Sequence, residues 1–73
     1  MPIKPKVRPI GQPVALTTEQ EFEDKIYPIG TRLVVRDYRI GSDYKVSYKI
    51  GVVNKLGDQV YYWVKAADIK TVL

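Results

Sequence analysis

The chain has 73 residues and a net charge of +4, from 12 Lys and Arg against 8 Asp and Glu, with 45% apolar and 27% charged residues. That balance belongs to an ordinary globular domain and disfavours both global disorder and a membrane span. Cys and His are both absent, which excludes disulfides, removes the usual ligands of zinc and transition-metal sites, and takes away the common general base near neutral pH, so neither an enzyme, a cofactor nor a bound metal is expected.

Residues 1–13 read as a flexible Pro/Lys-rich arm. Pro2, Pro5, Pro9 and Pro13 lack amide donors and bias their predecessors toward extended backbone, and Lys4, Lys6 and Arg8 add charge without an acid. No apolar stretch of signal-peptide length follows. A complete gene product would therefore be cytoplasmic, whereas a fragment of an exported protein would sit outside the cell or in the wall.

Residues 14–73 are expected to form one domain, near the lower size limit for an unaided core. Thr18-x-x-Glu21 matches a capping box, and the acids Glu19, Glu21, Glu23 and Asp24 suit a helix N-terminus, so the pattern predicts a short helix over 18–25. Tyr27-Pro28-Ile29-Gly30 reads as a turn with Pro second and Gly fourth. Beyond it the period becomes two. Thr31 to Tyr38 forms the first clear strand, with its inward face left open by Leu33-Val34-Val35.

From Tyr44 the alternation sets Tyr44, Val46, Tyr48, Ile50 and Val52 on one face, with Gly51 marking a bulge or bend. Asn54-Lys55-Leu56-Gly57-Asp58 supplies a hairpin turn. In the next strand Val60, Tyr62 and Val64 share one face, and Gln59, Tyr61, Trp63 and Lys65 the other. Ala66-Ala67-Asp68 suits a single 3-10 turn before a last strand from Ile69.

These elements make a mainly β, partly open, five-stranded small barrel. Gly30-Thr31-Arg32-Leu33-Val34-Val35, Asp43-Tyr44-Lys45-Val46-Ser47-Tyr48 and Trp63-Val64-Lys65-Ala66-Ala67-Asp68-Ile69 resemble, over residues 30–72, the opening, middle and closing strands of bacterial SH3-like (SH3b-type) domains. Two departures stand out: Tyr62 replaces the usual glycine before the closing Trp, and residues 49–59 exceed the usual hairpin. The closing segment also resembles the ends of lactobacillal surface-layer repeats. The resemblance implies an SH3-like barrel and a role in binding peptides or cell-wall peptidoglycan, while small basic barrels of the SH3-like kind elsewhere bind nucleic acid.

Outward Tyr61 and Trp63, with Tyr38 near the end of its strand, are the candidate ligand-binding residues, since tyrosine and tryptophan favour surfaces that are apolar at one end and wet at the other. Arg32, Arg36, Arg39, Lys45 and Lys49 are the candidate polyanion contacts beside them. The leading expectation is a non-catalytic bacterial or phage binding module for a protein, peptide or cell-wall ligand. The alternative is a small basic nucleic-acid-binding protein that combines stacking with phosphate contacts. The sequence assigns no oligomeric state.

Overall fold

The computed structural model describes residues 6–23 and 25–72. It is mainly β, with strands β1 (Pro13–Leu16), β2 (Gln20–Phe22), β3 (Lys25–Tyr27), β4 (Arg32–Ile40), β5 (Val46–Val53), β6 (Gln59–Lys65) and β7 (Ile69–Thr71). The single 3-10 turn expected before the last strand is Ala66–Asp68. Five strands form an antiparallel sheet in the order β6-β5-β4-β1-β7, and β2 pairs with β3 in a separate hairpin. Among the described residues β6 and β7 are the edges of the five-stranded sheet, which does not close into a barrel.

No α-helix occurs among the described residues, so the helix expected over 18–25 is replaced by the β2–β3 hairpin. A helix of that length is marginal without packing, and its capping residues are spent elsewhere. Thr17 donates from its amide to the Asp68 carbonyl at 2.8 Å and from its hydroxyl to the Ala67 carbonyl at 2.9 Å. Thr18 donates to Asp68 Oδ1 at 3.2 Å and accepts from Gln20 Nε2 at 2.8 Å. Both threonines thus tie the chain to the 3-10 turn. Phe22 is buried and stacks on Tyr62, with ring centroids 4.6 Å apart.

The core lies on the inner face of the sheet. Val14 and Leu16 from β1, Leu33 and Val35 from β4, Val46, Tyr48, Ile50 and Val52 from β5, Val64 from β6 and Ile69 from β7 are buried together. The ambiguity of Leu33-Val34-Val35 is resolved with Val34 outward. Tyr44 departs from the expected alternation: it lies in the β4–β5 loop, exposed, at φ 64. Gly41 and Lys45 close that loop, with the Gly41 amide donating to the Lys45 carbonyl at 2.9 Å.

The irregularity anticipated at Gly51 falls instead on the neighbouring strand. Val35 pairs with Ile50 and Asp37 with Lys49, so Arg36 is the extra residue of a β-bulge. Gly51 itself pairs regularly with Tyr61. The turn before β4 is also displaced by one residue, since Thr31 donates its amide to the Pro28 carbonyl at 3.1 Å and Gly30 takes φ +91 at the third position. At the β5–β6 turn Asn54 Oδ1 accepts the amides of Leu56 and Asp58 at 3.0 and 2.9 Å.

Of the N-terminal segment expected to be flexible over 1–13, residues 1–5 lie outside the described residues. The remainder runs along the sheet. The Gly11 amide donates to the Val35 carbonyl at 2.7 Å, the Val35 amide to the Gln12 carbonyl at 3.1 Å, and Pro13 opens β1. The Arg8 amide donates to the hydroxyl of buried Tyr48 at 2.9 Å, and its guanidinium donates to Thr71 on β7.

Candidate functional site

The outer face of β4, β5 and β6 carries the aromatic pair. Directly opposed residues of an antiparallel sheet project to the same side. Lys49 opposes Trp63, Gly51 opposes Tyr61 and Ser47 opposes Lys65, while Asp37 opposes Lys49 and Arg39 opposes Ser47. Tyr61 and Trp63, with 48% and 40% of their surface exposed, therefore stand side by side in β6 facing solvent.

Each ring is met by a cation. The Arg39 guanidinium lies 4.4 Å from the Trp63 ring centroid, and Lys49 Nζ lies 4.9 Å from that of Tyr61. Such contacts are worth about 0.5–1 kcal/mol at exposed positions. They orient the rings more than they stabilise the fold. Gly51 makes room beneath Tyr61: a Cβ there would stand 2.9 Å from Gln59 Nε2, 3.4 Å from Tyr61 Cε1 and 3.6 Å from Arg36 Nε. The absent side chain thus lets three outer-face groups meet over β5.

Among the sequence candidates, Tyr61, Trp63, Arg36, Arg39 and Lys49 are brought to this surface. Arg32 is on the same side at the far end of β4, opposite Ala15 in β1. Tyr38 is not part of the group, because it opposes Tyr48 and so belongs to the inner side. Lys45 lies in the β4–β5 loop, where with Arg39 and Lys65 it lines a groove. Lys65 was absent from the candidates although its alternation with Trp63 in β6 placed it on the same face. Asp37 is the acid of this face, and its Oδ1 accepts the Tyr38 amide at 2.8 Å.

A second concavity, which sequence reasoning missed, opens on the inner side between the β2–β3 and β5–β6 hairpins, with a volume of about 320 Å³. Phe22, Tyr27, Val52, Val60 and Tyr62 line it, with Lys25 at 5.2 Å from the Tyr27 ring. The Tyr62 hydroxyl is buried there with no hydrogen-bond partner among the described residues. Burial, and then the neighbouring Glu23 carboxylate, push its ionisation above the ordinary tyrosine value. The signal for this cleft was nonlocal, since it depends on a hairpin where the sequence pattern predicts a helix.

Among the described residues no helix is long and apolar enough to cross a membrane. Compared with known proteins, the chain matches no family model, no curated protein and no solved structure.

Proposed function

We propose that this protein is a non-catalytic binding module that engages a protein, peptide or cell-wall ligand on the outer face of β4–β6. One observation carries the reading: Tyr61 and Trp63 are adjacent, solvent-facing and held in place by Lys49 and Arg39. A domain this small gains little stability from leaving its single Trp so exposed, and aromatic residues are common anchors of binding surfaces. An SH3-like fold accompanies this reading, supported by the β4–β5–β6 meander, the flanking β1 and β7, and the 3-10 turn directly before the last strand.

A specific observation favours a second reading, single-stranded nucleic acid. Arg36, Arg39, Lys49 and Lys65 surround the two rings while Asp37 is the facing acid, the combination of stacking surface and positive charge on which unpaired strands are held. The two readings separate by salt. Amide-shift titrations against purified cell wall, single-stranded DNA and duplex DNA are expected to move Tyr61 and Trp63 first. For the leading reading, Trp63→Ala abolishes binding and salt has little effect. For the second, added salt weakens binding steeply and charge reversal at Arg36 and Lys45 removes it. Shifts centred away from Tyr61 and Trp63 for every ligand would overturn both.

A further inference from the structure

At one end of the sheet the β4–β5 loop faces the 3-10 turn across an open groove of about 730 Å³. Val46 and Ala66 give it an apolar floor, and Arg39, Lys45 and Lys65 supply its charged walls. The acid that also lines it, Asp43, accepts the Lys45 amide on its Oδ1 at 3.1 Å and so is occupied in shaping the loop. Gly41 allows that carboxylate to approach, since a Cβ at this position would lie 2.8 Å from Asp43 Oδ1. The Tyr44 amide donates to the Gly41 carbonyl at 2.9 Å, with Tyr44 held in the left-handed region at φ 64, where a bulky side chain is strained.

We propose that this groove is an anion site that takes the phosphates of a single-stranded nucleic acid whose bases stack on Trp63 and Tyr61. The inference rests on the second reading above and extends it to a surface that the outer aromatic pair does not include. Three cations against one engaged carboxylate make the groove complementary to a polyanion. Arg39 joins the two surfaces, because its guanidinium lies over Trp63 while its side chain lines the groove. An acidic peptide would satisfy the cations but meets the rings with an aromatic group only where its sequence carries one. A strand with a phosphate and a base in every unit satisfies both.

The test titrates the full chain with a short oligothymidylate, with polyphosphate, which has charge but no bases, and with polyglutamate. Trp63 is the single Trp, so its fluorescence reports the ring platform alone. The amides of residues 41–46 and 65–67 report the groove. Oligothymidylate is expected to quench Trp63 and shift the groove amides together, and polyphosphate to shift the groove amides without quenching. The Lys45→Glu and Lys65→Glu pair, both at exposed positions, is expected to lower the slope of log affinity against log salt by about 1.4, two contacts at about 0.7 each for a single strand. Quenching without groove shifts, or an unchanged slope in the double variant, overturns the groove while leaving the aromatic platform in place. No response at either surface overturns both, and binding of polyglutamate as tight as that of oligothymidylate overturns the ligand assignment.

Discussion

The two sides of β5 differ at every step along one strand. Val46, Tyr48, Ile50 and Val52 are buried, whereas Ser47, Lys49, Gly51 and Val53 carry the outer surface. The inner set meets residues distant in sequence, from β1, β4 and β7, and determines whether the chain folds. The outer set meets β4 and β6 across the sheet and determines what the folded chain presents. Because side chains alternate with period two, a substitution on one side leaves the other nearly untouched. Stability and binding are therefore separable by single residues on the same strand.

The largest effect expected is at the inner face. Ile50 is fully buried, and Ile50→Ala should cost about 2–5 kcal/mol, a large part of the stability of so small a domain, read as a shift in the urea midpoint. An unchanged midpoint would break the division between the two faces. A smaller effect sharpens it. Tyr48→Phe keeps the ring but removes the acceptor of the Arg8 amide, with an expected loss of about 0.5–1.5 kcal/mol. Hydrogen exchange at Arg8 and Gly11 should quicken, whereas the amides of Tyr61 and Trp63 should keep their protection.

The smallest effect is confined to alkaline solution. Tyr62 ionises above its ordinary value because the folded state disfavours the phenolate, first by burial and then through Glu23. The corresponding stability is fully present below the unfolded tyrosine pKa of about 10 and is lost as pH rises through the higher folded value. Thermal denaturation followed upward from pH 9 or so should show a decline that Tyr62→Phe reduces. Equal declines in the two proteins would remove Tyr62 from the account.

Much of the sheet was legible because its signals are local. Alternation from Val46 to Val52, the Asn54 side chain that closes its own turn, and the short Ala66–Asp68 segment each need only near neighbours. The β2–β3 hairpin was not legible, since the capping pattern at Thr18 is overruled by a partner, Asp68, that lies 50 residues away. Tyr38 was misplaced for a different reason. Strict alternation puts it on the face of Arg36, but the bulge at Arg36 changes the parity of everything after it. Arg39 consequently joins the outer face three residues later, and Tyr38 falls on the opposite side, still exposed. The aromatic pair itself was readable because β6 pairs with β5 without interruption.

That bulge makes the pairing of β4 a determinant of surface chemistry. Were Arg36 to pair with Lys49 in an unbroken ladder, the residues after it would change sides, with Arg39 passing to the side of Val46 and Tyr38 and Ile40 to the outer face. Deleting Arg36 would remove the bulge and leave Asp37 opposite Lys49 and Arg39 opposite Ser47, so the faces presented are set by which residues pair and not by how many the strand holds.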